Sequence, residues 1–428
     1  MGSRRFEASR KDRLLTANRT LGRGFRILLV SSLSSNLADG VVKVVLPLMA
    51  VRVTESPVLV SGVLVALTLP WLLFALPVGV LVDSVDRRLA MLVANALRVA
   101  LLLALSAVVV LDVRSIWSLY AVAFMLGAAE TMYDTASQSL LPSVVARESL
   151  ERANGRLSAA EITSNLFVGP PLGGLLIATA VVLGVAAPAG LWGVAFLVLL
   201  SLRGNFKAGK GDRLSWRTEL LSGARFTLKN RLLRTMAAMV AVCNVATGAF
   251  LGTFVVFAVG SDSAMRASDA EYGLLLTSAG VGSLLGSLAA SWTGLKLGRG
   301  RLLALTLVCM GLFIGFPSLT TRYIGVLLGF FLGGAAVAAW NVVTVSFRQR
   351  VTPDELLGRV NSFYRLLTWG TVPLGSLLGG VLGELVGMQI MFAMMTVVVL
   401  LPLVGLCVVN EKGLREAEEQ PIARSSPR

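Results

Sequence analysis

Long apolar runs constrain this chain more than any other feature. A helix needs about 20 mainly apolar residues to cross some 30 Å of hydrocarbon. Twelve stretches meet that need, at 25–52, 57–82, 89–111, 115–141, 157–181, 183–202, 234–260, 271–295, 301–320, 322–347, 360–386 and 388–409. In lipid every backbone N–H and C=O must be satisfied within the segment, so apolar runs of this length become helices. Only 15% of residues are charged, against about 25% in a soluble domain, and mean hydropathy is +0.77. The expected fold is an all-α membrane protein with twelve transmembrane helices. The fifth and sixth spans are divided only by short Gly/Ala-rich sequence. The first run follows a polar, basic segment, Met1 to Arg26. It exceeds the roughly 7–15 residues of a cleavable signal core, so it reads as a retained helix.

A net charge of +15 raises the question of nucleic acid, and the placement of the charge answers it. With twelve spans, the 39 Lys and Arg residues fall on one face, apart from two small groups. Arg52, Arg114, Arg266 and Arg322 lie on the other face, and Lys43, Arg98 and Arg365 lie within spans. Such asymmetry is the positive-inside pattern, which places both termini in the cytoplasm of a multi-pass cell-membrane protein. The excess then serves topology and contact with anionic lipid, not nucleic acid. The expected division is a tail at 1–24, a six-helix bundle at 25–202, a linker at 203–233, a second bundle at 234–409 and a tail at 410–428. The linker, from Ser215-Trp216-Arg217 through Phe226 to Arg234, reads as a basic amphipathic helix at the membrane surface.

The two bundles are related. Leu126-Gly127-Ala128-Ala129 aligns with Leu332-Gly333-Gly334-Ala335, and Leu150-Glu151-Arg152-Ala153-Asn154 with Leu357-Gly358-Arg359-Val360-Asn361. Pro170 and Gly173-Gly174 find counterparts in Pro373 and Gly379-Gly380. An even number of spans separates the copies, so both have the same orientation, a parallel repeat of two pseudo-symmetric halves.

Three motifs carry a resemblance. The loop after the second span reads Gly79-x3-Asp83-Ser84-Val85-Asp86-Arg87-Arg88. The fifth span contains Gly169-Pro170-Pro171-Leu172-Gly173-Gly174, and the first contains Asn36-x2-Asp39-Gly40. Together with the repeat, these resemble the major facilitator superfamily, and within it the drug:proton antiporter branch with macrolide-efflux-like and siderophore-exporter-like proteins. The resemblance implies the superfamily fold and a cytoplasmic gate at Gly79, Asp83, Arg87 and Arg88 that latches the halves in the outward-open state. It also implies a hinge at Gly169, Pro170, Gly173 and Gly174. Two departures stand out. Ser84 and Asp86 differ from the loop signature, and Phe124 replaces the fourth-span arginine found in many antiporters. The loop after the eighth span, Lys296 to Arg301, keeps basic residues but lacks the acid.

Ionisable residues inside spans are functional candidates by default. Asn36, Asp39 and Lys43 share one face of the first span, as do Glu130, Tyr133 and Asp134 of the fourth. Glu161 and Asn165 lie on the fifth, Asn244 on the seventh, Trp340 and Asn341 on the tenth and Arg365 on the eleventh. Asp39, Glu130, Asp134 and Glu161 are the candidates for proton coupling. There is no histidine, so any proton carried must ride on a carboxylate. Asn36, Lys43, Arg98, Tyr133, Asn165, Asn244, Trp340, Asn341 and Arg365 are the substrate-cavity candidates, with Phe250 and Tyr364 nearby. The structural alternative is internal pairing of Asp39 with Lys43, or of Arg98 with Asp134 or Asp39.

The expected function is export of a small amphiphilic molecule in exchange for protons, by a monomer that contacts membrane lipids. A narrow-specificity metabolite or siderophore exporter, with other or no proton coupling, is the alternative. No metal or cofactor is expected, since Cys243, Cys309 and Cys407 are isolated within apolar runs. Gly204-x4-Gly209-Lys210 lacks the Ser/Thr of a phosphate loop and follows no strand. A membrane enzyme or channel fits less well, because no catalytic constellation is visible and a repeat of this kind belongs to transporters.

Overall fold

The computed structural model describes residues 21–113, 115–204, 206–207, 216–260 and 263–419. The expected N-terminal tail therefore lies almost wholly outside the described residues. The first bundle comprises α1 (Gly22–Val53), α2 (Pro57–Ser84), α3 (Arg87–Val110), α4 (Ile116–Val144), α5 (Arg147–Thr179) and α6 (Val181–Leu200). The linker helix is α7 (Trp216–Lys229). The second bundle comprises α8 (Arg231–Val259), α9 (Asp269–Leu297), α10 (Arg299–Leu319), α11 (Tyr323–Val351), α12 (Asp354–Val386) and α13 (Met388–Cys407). A short α14 (Glu411–Glu419) follows. The fold is thus twelve spanning helices in two six-helix bundles. Ten of them are long and apolar enough to cross a membrane by composition alone. The other two, α1 and α4, are the ones with the densest polar stripes.

Polar ends and tight joints set the helix boundaries. Asp86 caps α3 by accepting the Leu89 amide, Ser56 caps α2 ahead of Pro57, and Ser268 with Glu271 forms a capping box on α9. Single residues join α5 to α6 (Ala180), α9 to α10 (Gly298) and α12 to α13 (Gly387). Gly298 and Gly387 have φ of 82° and 83°, a region that disfavours a side chain. The outer surface is apolar, with Leu103, Leu175, Leu197, Leu288 and Val404 exposed, as lipid requires. The core of the second bundle is aromatic: Phe250 packs against Phe254, Phe313, Phe330 and Phe392.

The glycines of the repeat allow close helix contacts in both bundles. Gly127 of α4 lies against the backbone of Leu67 in α2; its counterpart in α11, Gly333, lies against the Phe313 side chain of α10, and the next residue, Gly334, against the backbone of Ala279 in α9. In each bundle a glycine-bearing helix thus packs on the helix two before it.

Call the face holding the α2–α3, α8-side linker, α9–α10 and α11–α12 joints the basic face, and the other the sparse face. The halves meet through α2 with α12 and α5 with α9. Trp71 stacks on Trp369 at mid-span, ring centroids 5.0 Å apart and planes at 14°. Toward the sparse face, Ser376 Oγ donates to the Ser61 carbonyl at 2.9 Å, and Ser56 Oγ to Glu384 at 2.6 Å. Arg52 pairs with Asp269 at 2.5 Å. A cavity of about 400 Å³ lies between the halves here, lined by Thr54, Phe257 and Gln389 among others. On the basic side of Trp71 the surfaces part: Gly79 has open space where a side chain would stand, and Val80 and Leu81 are exposed. The molecule is clasped at the sparse face and open toward the basic face.

Two peripheral helices dock on the second bundle. Instead of lying only on the membrane surface, α7 seats Gly223 against the Arg359 backbone, with Phe226 beside Val360 and Tyr364. Leu221 and Leu228 stay exposed. In α14, Leu414 is fully buried, Glu411 accepts the Arg299 amide at 2.7 Å, and Glu418 accepts from Arg299 at 2.6 Å. Glu418 also pairs with Arg350 at 3.3 Å. The acid missing from the loop after the eighth span is thus supplied from the C-terminal helix. Glu411 does for α10 what Asp86 does for α3. Partial burial pushes the Glu411 carboxyl up, but the Arg299 amide and the Arg415 and Arg299 guanidinium groups outweigh it and hold it below the usual value.

Candidate transport site

The first-span motif builds the site. Gly40 lets α1 touch α5: a Cβ there would stand 2.7 Å from the Asn165 carbonyl and 3.0 Å from the Gly169 Cα. One residue earlier, Asp39 faces α3 and lies 3.7 Å from Arg98. Arg98 is fully buried, donates to Ser35 Oγ at 2.9 Å, and sits 5.2 Å from the ring centres of both Tyr133 and Trp192. Tyr133 is held in turn by Ser31 at 3.1 Å. Lys43 does not pair with Asp39; it donates to Asn165 Oδ1 at 2.9 Å, and Asn165 contacts Asn36 at 3.5 Å. Of the pairings the sequence left open, Arg98 with Asp39 is the one that forms.

Asp39, Glu130, Asp134 and Glu161 lie near enough to feel one another's charge, with Arg98 and Lys43 among them. All four acids belong to the first bundle. At 1.5 Å per residue, Asp134, Arg98, Asn341 and Arg365 sit about 15–17 Å in from the basic-face ends of their helices, Glu161 about 21 Å and Asp39 about 25 Å in. Glu161, Asn341 and Arg365 are exposed at these depths, as is Lys43 one turn beyond Asp39. In the second bundle Asn244 donates to the Thr368 carbonyl at 3.3 Å. Tyr133, Trp340, Phe250 and Tyr364 are buried; they pack the bundles and give a ligand little surface.

The loop residues also find partners. Arg87 donates to Ser143 at 3.3 Å, and Arg88 to the last carbonyls of α6, Leu199 and Leu200, at 3.2 and 2.9 Å. These contacts stay within the first bundle. In α5 the four residues of the Gly-Pro motif follow a π-helical stretch, Ile162–Val168, which contains Asn165. Pro170 has no N–H to give the carbonyl four residues back, so the ladder there loosens. Gly173 lies against the Val41 carbonyl of α1, and Gly174 against the Asp269 backbone of α9. The motif is therefore squeezed between its own bundle and the other.

The sequence profile of the transmembrane secretion effectors, a division of the major facilitator superfamily, matches residues 21–427. The chain belongs to this family. As a transmembrane secretion effector it is a membrane transporter of the efflux type and not an enzyme. It is similar to the multidrug efflux pump Tap of Mycolicibacterium fortuitum, 28% identical over 92% of this chain and 96% of that one. It is similar also to the enterobactin exporter EntS of Shigella boydii serotype 4, 27% identical over 84% of this chain and 85% of that one. A crystal structure of a bacterial homologue of the iron transporter ferroportin, in an inward-facing state, superposes with a TM-score of 0.70 at 17% identity, covering 91% of this chain and 99% of that one. At that identity the likeness speaks for the fold alone.

Three features of this transporter escaped the sequence. The Trp71–Trp369 stack joins residues on different halves, and neither tryptophan departs from an apolar pattern. The π-helix had one signal, Pro170 inside a span. The acids of α14 lie in a segment that reads as a solvated tail.

Proposed function

We propose that this transporter exports a small amphiphilic molecule from the cytoplasm in exchange for protons, with the basic face cytoplasmic. The observation that carries the reading is Asp39. It is a carboxylate deep within a span, beside a fully buried arginine and within electrostatic reach of three further acids. Protonation of Asp39 removes its attraction for Arg98. It thereby loosens the joint between α1 and α3 while α1 still rests on the hinge of α5. Substrate enters from the basic face, which is open. The halves then rock, breaking the clasp at the sparse face and closing the basic face, where Asp83, Arg87 and Arg88 meet the second bundle. Protons from outside reach Asp39 or the acids of α4, and the cycle resets. The names of the relatives, a multidrug pump and an enterobactin exporter, support export without selecting the substrate. A coupling built on Arg98 of α3, with Phe124 at the fourth-span position, favours a proton path unlike that of many antiporters.

The test is substrate-induced proton release from energised everted vesicles. Wild type and Asp39→Asn are compared across lipophilic drugs and siderophores. A compound that collapses the pH gradient with wild type and not with the variant is the expected result. Saturable export that leaves the gradient untouched in both removes the antiport.

A further inference from the structure

The three cations within the spans differ in how they are satisfied. Lys43 is held by Asn165, and Arg98 by Ser35, Asp39 and two aromatic rings. Arg365 of α12 is exposed and, among the described residues, has no hydrogen bond, ion pair or ring partner. A guanidinium inside a span is costly unless something answers its charge. The second bundle has no acid of its own within its spans away from the helix ends. The acids of the first bundle have Arg98 and Lys43 among them.

Its direction follows from its neighbours on α12. Arg365 and Trp369 are four residues apart and share a face, and Trp369 stacks on Trp71 of the other half. Arg365 therefore lies one turn from the point where the halves touch, on the side where they part. Asn361, a turn further toward the basic face, binds Arg348 of α11 at 2.9 Å. Arg348 and Asn341 are seven apart and again share a face, so Asn341 lies on the face of α11 turned toward α12, deeper than Arg348. Asn341 too is exposed and has no hydrogen-bond partner among the described residues.

We infer that Arg365 and Asn341 form an oxyanion subsite, and that the exported molecule carries a carboxylate or a comparable planar oxyanion that docks there. A guanidinium on α12 with a carboxamide on the face of α11 turned toward it offers donors of the kind that planar oxyanions accept, and the aromatic pair lies one turn beyond Arg365. The acids of the first bundle then face the opposite, cationic or proton-exchanging, side of the molecule. This inference rests on the exporter reading above.

A matched pair of dyes separates the two. Rhodamine 110 bears a free carboxylic acid, and rhodamine 123 is its methyl ester. Uptake of each into energised everted vesicles is measured for wild type, Arg365→Gln, Arg365→Lys and Asn341→Ala, with thermal melting as a check that each variant is folded. Loss of a charge-assisted hydrogen bond is worth about ten-fold or more in affinity. The acid-to-ester uptake ratio is therefore expected to fall by about ten-fold in Arg365→Gln and less in Asn341→Ala, with part of it restored in Arg365→Lys. An unchanged ratio in folded Arg365→Gln overturns the subsite while ester uptake keeps the exporter standing. Uptake of neither dye by wild type removes both.

Discussion

At the residue scale, the account turns on a buried charge and its single carboxylate partner. Arg98 is fully buried and Asp39 nearly so, so removing one strands the other. Breaking a buried pair costs about 3–5 kcal/mol. Arg98 retains Ser35 and two rings, which places Asp39→Asn near the low end, at about 3 kcal/mol. Replacing both, as Asp39→Asn with Arg98→Met, leaves no stranded charge. Thermal melting of the purified proteins is expected to drop for Asp39→Asn and to recover in the double variant, while proton-coupled transport stays lost in both. Recovery of transport along with stability contradicts a coupling role and leaves Asp39 a structural partner. Part of this was legible beforehand: an acid, an asparagine and a lysine share one face of the first span, and Arg98 was among the cations that could pair with the acid. Which cation Asp39 chooses was not legible, because Lys43 and Arg98 are both within reach and only packing sends Lys43 to Asn165.

At the scale of elements, lipid makes the chain readable. Spans appear as apolar runs because nothing else satisfies the backbone in hydrocarbon, and most expected boundaries lie within a few residues of those observed; α5 and α12 begin earlier, at Arg147 and Asp354 rather than 157 and 360, because their first turns are polar. Peripheral helices are read less well, since their partners are tertiary. The sequence shows α7 as amphipathic but not that Gly223 fits against α12. Nothing in the acidic C-terminal segment announces that Glu411 caps α10. That cap gives a pH dependence of definite sign. The folded Glu411 carboxyl titrates below its ordinary value of 4.5. Its contribution is complete above that value and is lost as pH falls through the folded one. Proteolysis or hydrogen exchange in α14 is expected to rise on acidification below about pH 4.5 in the wild type. Glu411→Gln should show the raised exchange already at pH 7 and little further change. Equal protection of α14 in both proteins at pH 7 rules out the cap.

At the scale of the whole molecule, the halves are clasped on one face and parted on the other. The clasp includes one ion pair, Arg52 with Asp269, at the sparse face. Arg52→Glu alone is expected to favour the opposite opening, seen as faster labelling of a cysteine placed at Thr54 by a membrane-impermeant reagent. Adding Asp269→Arg restores the pair and slows labelling again. Labelling that ignores the double exchange means the pair is a surface contact only. The repeat made two halves legible, but not which face is closed, since that depends on contacts between residues of different bundles such as Trp71 and Trp369.

The most direct test of the account is whether Asp39 governs the rocking of the halves. Spin-label distances are measured in a cysteine-free background across two pairs, Val113 with Gln389 on the sparse face and Ser84 with Ser362 on the basic face. The measurement is repeated in Asp39→Asn, which mimics the protonated acid. The account predicts opposite changes, one face widening as the other narrows, between wild type and variant. Distances that stay the same at both faces, or move together, contradict it.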